Sequence, residues 1–156
     1  FEVLGVPRLL DRFTIHGKAA PLIHLQNLSA VLDSLMQCKF AAYVLKETHF
    51  SCLLSAVTGE HIETRELLRI GERIWNLERL FNIRAGFTRA DDTLPRRMLH
   101  EPVAEGPSKG HVVDLEPMLE EYYERRGWSA QGVPLPRTLD ELGISRTRGG
   151  EYELAQ

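Results

Sequence analysis

The 156-residue sequence predicts an all-α fold, an irregular helical bundle with long connecting loops. Three observations indicate this class. Apolar residues recur at spacings of three and four in several segments, as expected when one face of a helix is turned toward a core. Connections rich in proline and glycine separate these segments. No segment alternates apolar and polar residues for long, as a half-buried strand would.

The first helical segment covers about residues 20–46. Its leucines recur at spacings of three and four, at Leu22, Leu25, Leu28, Leu32 and Leu35. The period changes between Leu35 and Phe40, so one bent helix and two abutting helices both fit the pattern. A second, short helix is predicted over about residues 50–57, ending before Gly59.

The third helix has the most regular pattern. We predict Thr64 as its N-cap and Gly86 as its left-handed stop. Its buried stripe consists of Leu67, Ile70, Ile74, Leu77 and Phe81. Gly71 lies inside this helix, where it costs about 1 kcal/mol relative to alanine. We therefore expect another element to approach closely at Gly71.

The last third of the chain predicts shorter helices. One covers about residues 95–99, and an extended connection follows over residues 101–111. Asp114 is expected to cap a further helix that Gly127 stops, and a small helix over residues 138–142 ends at Gly143. We interpret three aromatic residues as packing between helix and loop: Tyr122, Tyr123 and Trp128.

Composition excludes several classes of protein. The formal net charge of −3, with acids and bases interspersed, gives no reason to expect nucleic acid or an anionic membrane as partner. No apolar run approaches the roughly 20 residues that span a bilayer. Two cysteines among 156 residues indicate a reducing compartment, the cytoplasm. The chain starts at Phe1 without a leader, so we expect one helical domain, residues 1–156, of a longer polypeptide.

Few residues form a pattern that could carry chemistry. Phosphate loops, zinc-binding histidine pairs and nucleophile elbows are absent from the sequence. One constellation remains, from Asp33 to Cys38. On an unbroken helix these two side chains would point about 140° apart, so they would serve two different groups, or the helix breaks between them. By itself Cys38 also fits a small buried apolar residue, and Asp33 a cap or a surface charge.

The chain as a whole resembles the aldehyde:ferredoxin oxidoreductase family. The matching segments occur in order along the sequence: Gly5-Val6-Pro7 with Asp11-Arg12-Phe13, Asp33-Ser34-Leu35 with Cys38-Lys39-Phe40, GERIWNLER at 71–79, GFTR at 86–89 with DDTLP at 91–95, GHVVD at 110–114, EYY at 121–123 with RGW at 126–128, and Leu142-Gly143. The resemblance implies the C-terminal helical portion of an enzyme that oxidises aldehydes to carboxylic acids and passes electrons to ferredoxin.

The resemblance also implies two cofactors, a tungsten- or molybdenum-bis-pterin and a 4Fe–4S cluster. Asp33 and Cys38 stand at the ends of the family motif Asp-x-x-Gly-Leu-Cys. Cys38 would then be the fourth thiolate of the cluster, while Asp33 and the main chain of Gln37 would contact the pterin. Thiolates are the ligands that such clusters need, and an ionised carboxylate is a strong acceptor for pterin N–H groups. The other three thiolates would come from the remaining domains of the parent.

This sequence departs from the motif at two positions. Met36 stands in place of the glycine and Gln37 in place of the leucine, so we expect an altered backbone turn at Met36. We expect no cofactor to stay bound to this fragment alone, and no catalysis by it. Two alternatives remain open, a non-catalytic helical interaction module and a family relative acting on a carboxylate or an acyl thioester.

Overall fold

The computed structural model describes residues 10–146 and 152–154. The order of its elements is α1 (Ala19–Ser34), a 3₁₀ turn (Lys39–Tyr43), α2 (Glu47–Thr58), α3 (Thr64–Arg84), a second 3₁₀ turn (Arg89–Asp91), α4 (Arg96–His100), α5 (Leu115–Arg126), α6 (Pro136–Glu141), β1 (Ile144–Arg146) and β2 (Tyr152–Leu154). Helices dominate, which confirms the predicted all-α class. The Gly5-Val6-Pro7 segment lies outside the described residues.

The pairing of α1 with α3 organises the bundle, and α5 lies against α1 as well. A Cβ atom on Gly71 of α3 would stand 1.9 Å from the carbonyl oxygen of Asn27 in α1. The close approach predicted at Gly71 is therefore confirmed. It brings the two helix backbones together at a position where any larger residue would force them apart.

The main apolar core lies between α1, α2, α3 and the first 3₁₀ turn. Its buried members are Leu28, Val31, Leu32, Ala42, Phe50 and Leu67. The change of period near residue 36 corresponds to a break, because α1 ends at Ser34 and a 3₁₀ turn follows from Lys39. Of the two arrangements that the sequence allowed, two separate helical pieces are the one observed.

Two predictions about helix ends need correction. Thr64 was predicted as the N-cap of α3, but Glu63 occupies that position in an extended conformation and Thr64 is already helical. Asp114 does stand at the N-cap of α5, although its side chain makes no capping hydrogen bond there. Gly86 and Gly127 have positive φ angles of 99° and 65°, so both predicted helix stops are confirmed.

A second, smaller core closes the C-terminal part of the described chain. It consists of Leu80, Leu139, Leu142 and Ile144. β1 pairs antiparallel with β2, with Ile144 opposite Leu154. This short hairpin was not predicted, since three residues per strand are too few to give an alternating pattern.

Among the described residues, no helix combines the length and the apolar character needed to cross a membrane.

Candidate functional site

The candidate site begins where α1 ends. The N–H of Gln37 donates to the carbonyl of Leu32 at 2.9 Å, and the N–H of Met36 donates to the carbonyl of Asp33 at 3.1 Å. These two bonds form a Schellman motif, which terminates a helix by satisfying its last carbonyls. The chain therefore leaves α1 abruptly, and Gln37 and Cys38 follow in a loop rather than on a helix.

Met36 stands at the left-handed position of this motif, with a φ angle of 55°. Glycine is the usual residue there, because a Cβ atom makes the left-handed conformation unfavourable. The expectation of an altered turn at Met36 was wrong. The two capping hydrogen bonds and the core contacts of the preceding helix keep the turn in a glycine-like conformation.

The three predicted site residues lie together on the surface. Asp33, Gln37 and Cys38 are all exposed, and Cys38 is a free thiol. Within this chain, Cys38 is therefore not a small buried apolar residue. Lys39 Nζ lies 3.2 Å from Asp33 Oδ2, and both side chains are more than half exposed. An ion pair this exposed is weak, so Asp33 can exchange it for another hydrogen-bond donor.

The donor set of this surface fits the two cofactors in kind. An exposed thiol can deprotonate and bind iron, and an exposed carboxylate can accept N–H groups from a pterin. The surface supplies one thiolate, however, and in the described part of the chain no three His, Cys, Asp or Glu side chains form a group able to hold a metal ion. Cys38 could thus contribute one ligand to a shared cluster.

A buried arginine joins α5 to α1. Arg126 is 1% exposed. Its guanidinium donates to Asn27 Oδ1 at 2.7 Å, to Gln26 Oε1 at 2.8 Å and to the Tyr122 hydroxyl at 3.1 Å. Burial lowers the pKa of Arg126. We call these four residues the α1–α5 junction; no sequence pattern had indicated it.

A second polar cluster fixes the loop between α3 and α4. Arg79 donates through both terminal nitrogens to the Asp92 carboxylate, at 2.8 and 2.6 Å. The Tyr123 hydroxyl donates to the same carboxylate, and burial together with this bond raises the pKa of Tyr123 to about 12. Trp128 donates to Asn76 Oδ1 at 2.8 Å. The predicted packing role of Tyr122, Tyr123 and Trp128 is confirmed, since their ring centroids lie 5.7 to 6.2 Å apart.

A cavity of about 530 Å³ lies between α1, α3 and α5. Its walls include Trp75, Arg79 and Tyr122, and no residue of the 33–38 segment reaches it. The polar side chains of these three residues already hydrogen-bond within the protein. These three residues therefore have hydrogen-bond partners within the protein, and the exposed 33–38 segment, which holds the predicted site residues, remains the candidate site.

Comparison of the sequence with known proteins identifies a family. Residues 1–144 match the family model described as aldehyde ferredoxin oxidoreductase, domains 2 and 3. The chain is 46% identical over 146 residues to the tungsten-containing aldehyde ferredoxin oxidoreductase of Pyrococcus furiosus and 45% identical to that of Thermococcus kodakarensis. These matches cover 92% of the chain but 24% of each relative, so the chain spans about a quarter of their length.

Two further similarities have lower sequence identity. An aliphatic sulfonate oxidoreductase subunit of Pyrococcus furiosus is 33% identical over 60% of the chain and 16% of its own length. The active-site complex BamBC of benzoyl coenzyme A reductase, solved with 1,5-dienoyl-CoA, has a TM-score of 0.68 at 23% identity, covering 88% of this chain and 21% of that one. At this identity the second match supports the fold alone. The family match and the sequence identities together show that this chain belongs to the aldehyde ferredoxin oxidoreductase family.

Proposed function

We propose that the chain is the C-terminal part of a tungsten-pterin oxidoreductase that oxidises aldehydes to carboxylic acids and passes electrons through a 4Fe–4S cluster to ferredoxin. Family membership supports the class of enzyme, and relatives at 43% to 46% identity are named tungsten-containing aldehyde ferredoxin oxidoreductases. The observation that carries the proposal is the exposed 33–38 segment, in which a free thiol and a carboxylate flank a glycine-like turn.

Each of the three site residues has one role in this proposal. The Cys38 thiolate binds one iron of the cluster, which transfers electrons when it is bound. The Asp33 carboxylate accepts hydrogen bonds from N–H groups of the pterin and thereby orients it. The main chain of Gln37 contacts the same pterin. Because the three residues lie within six positions, one short turn would fix the cluster and the pterin relative to each other.

The remaining ligands come from the rest of the polypeptide in this proposal. A 4Fe–4S cluster usually takes four thiolates, of which this surface offers one. Domains outside this chain would supply the other three and the remainder of the pterin site. Cys52 is exposed as well, and two free thiols fit a reducing compartment, for which we propose the cytoplasm. The treatment of residues 1–156 as one domain stays a prediction.

Aldehydes are the substrate class that we propose. The relatives that match over 92% of the chain are named for aldehydes, whereas the sulfonate relative matches over 60%. Anaerobic assays with several aldehydes, an alkanesulfonate, a carboxylate and an acyl thioester would distinguish these substrates. A non-catalytic helical interaction module would turn over none of them and would bind neither cofactor.

The test of the cofactor role compares the two cysteines. The full-length polypeptide, produced anaerobically, is expected to bind about four irons per cluster together with tungsten. Cys38→Ser should lower the iron content or change the electron paramagnetic resonance spectrum of the reduced cluster, because a hydroxyl is a poor substitute for a thiolate. Cys52→Ser is the matched control, since Cys52 is equally a free, exposed thiol. Identical iron content and spectra in the wild type and Cys38→Ser would remove Cys38 from this role.

A further inference from the structure

The ion pair between Asp33 and Lys39 joins the two ends of the turn that carries Cys38. Asp33 lies in the last turn of α1, and Lys39 is the first residue of the 3₁₀ turn that follows. The chain reverses between them, so two residues six apart in sequence meet, with Lys39 Nζ 3.2 Å from Asp33 Oδ2. Cys38 lies between them in sequence and is directly bonded to Lys39.

The pair adds little to the stability of the fold. Both side chains are more than half exposed, and ion pairs in such positions are nearly neutral for folding. Neither residue belongs to the main core. What the pair does is place charge: it fixes one positive group beside the Asp33 carboxylate and next in sequence to the Cys38 thiol.

We propose that Lys39 is a positioning residue whose ammonium offsets the charge of Asp33 and stabilises the reduced form of the cluster bound by Cys38. This inference rests on the proposed function, and it adds to that function a residue that ligates neither cofactor. It assigns to Lys39 an influence on the reduction potential of the cluster.

Lys39 need not leave Asp33 for a pterin to bind. A carboxylate has two oxygens and about four lone-pair sites. Lys39 contacts Oδ2, which leaves acceptor capacity on the carboxylate for pterin N–H groups. A bound pterin also displaces water from Asp33, and a carboxylate removed from water is costly unless a cation accompanies it. The pair is weak in water and becomes stronger as water leaves, because the local dielectric constant falls.

The effect on the cluster follows from the sign of the charges. Reduction adds one electron, so a positive group nearby stabilises the reduced form and a negative group destabilises it. The Cα atoms of Cys38 and Lys39 are about 3.8 Å apart, as in any pair of neighbouring residues. Without Lys39, the Asp33 carboxylate would remain beside the site as an uncompensated negative charge, and the cluster would be harder to reduce.

A redox titration of the full-length polypeptide, followed by electron paramagnetic resonance, measures this effect. At a solution potential where the wild-type cluster is half reduced, Lys39→Met should lower the ratio of reduced to oxidised cluster at least tenfold, a shift of about 59 mV for one electron. Lys39→Arg keeps the charge and should stay within threefold of the wild type. Adding Asp33→Asn to Lys39→Met removes the uncompensated carboxylate and should also return the ratio to within threefold.

Lys109→Met is the matched control, because it removes one positive charge from another exposed lysine. Lys109 lies two residues before His111, whose ring stacks on Phe13 ahead of the start of α1. Asp33 stands at the other end of this helix of 16 residues, about 24 Å away by its rise per residue. At such a distance salt screens most of the interaction, so the ratio should change less than twofold.

The outcomes separate this inference from the proposed function. Iron is measured on the same samples, and a wild type without a cluster contradicts the proposed function and this inference with it. A cluster whose reduced-to-oxidised ratio is unchanged in Lys39→Met overturns the role of Lys39 and leaves that of Cys38 standing. Equal shifts in Lys39→Met and Lys109→Met, or a shift in Lys39→Arg as large as in Lys39→Met, would overturn it as well. Lys39→Gln serves as the second neutral variant should Lys39→Met fail to fold.

Discussion

The α1–α5 junction and the 36–44 face, formed by the exposed side chains of Met36, Phe40, Tyr43 and Val44, differ in whether their side chains find partners within the chain. In the junction, Arg126 is buried and its guanidinium finds three oxygen acceptors within the chain. Every buried side-chain polar atom in the described residues likewise has a partner. On the 36–44 face, large apolar side chains point to solvent and the neighbouring thiol is free.

The two regions should therefore contribute differently to the free energy of unfolding. The hydrogen-bond partners of the junction all lie within the chain, so its residues should contribute to the stability of the helical bundle. The face and the adjoining Asp33 and Cys38 contribute little to that stability, because exposed side chains gain little from folding. Substitutions in the two regions should therefore have different effects on the free energy of unfolding. Arg126→Met and Met36→Gly test this directly, and Gly71→Ala tests the α1–α3 contact that positions Asn27 of the junction.

The largest effect is expected at Gly71, where α3 meets α1. Gly71→Ala would place a Cβ atom 1.9 Å from the Asn27 carbonyl oxygen, so the two backbones must separate. We expect a loss of more than about 3 kcal/mol in the free energy of unfolding, although alanine is the better helix former by about 1 kcal/mol. Urea denaturation followed by circular dichroism measures it.

The control for Gly71→Ala is Asn82→Ala, at an exposed position of the same helix. There the helix propensity of alanine should act alone and raise stability by a few tenths of a kcal/mol. Equal stabilisation by both substitutions would contradict the close contact between α1 and α3 at Gly71 and Asn27.

The next effect concerns the α1–α5 junction itself. Arg126→Met keeps much of the side-chain volume but leaves Asn27 Oδ1 and Gln26 Oε1 without this donor. We expect a loss of about 2 to 3 kcal/mol, because buried acceptors without partners are costly. Arg125→Met, next in sequence, breaks an ion pair in which Arg125 is half exposed, and Glu121 keeps the N–H of Gly17 as a donor, so stability should change by about 0.5 kcal/mol or less. Similar losses for the two arginines would contradict a special role for the buried one.

Sequence patterns predicted the features that repeat or that break a helix. The leucine spacing predicted α1, Gly71 predicted the close approach of another element, and Gly127 predicted the end of α5, because each follows from local geometry. The partners of Arg126 could not be predicted in this way, since Asn27 lies 99 residues away and amides follow no helical period. A buried arginine that is satisfied by amides looks, in sequence, like any surface arginine.

The candidate site could not be predicted from local sequence patterns. Its residues came from resemblance to a family, because a single cysteine beside an aspartate has no distinctive spacing. The exposure of Cys38 and the left-handed turn before it required coordinates. Methionine gives no local signal for a positive φ angle, which is why a changed turn was expected at Met36. The turn depends on capping bonds to Leu32 and Asp33, and thus on where α1 ends.

The smallest change in the free energy of unfolding is expected at this turn. Met36 is held at a φ angle of 55° while its side chain is 91% exposed, so Met36→Gly removes an unfavourable conformation and loses almost no packing. The relief of about 1 kcal/mol is partly offset by the greater freedom of glycine in the unfolded chain. We expect a gain below about 1 kcal/mol in chemical denaturation. Gln37→Gly, where φ is not positive, should instead lose about 0.5 kcal/mol. A clear loss in Met36→Gly would show that the methionine side chain already contributes packing within this chain.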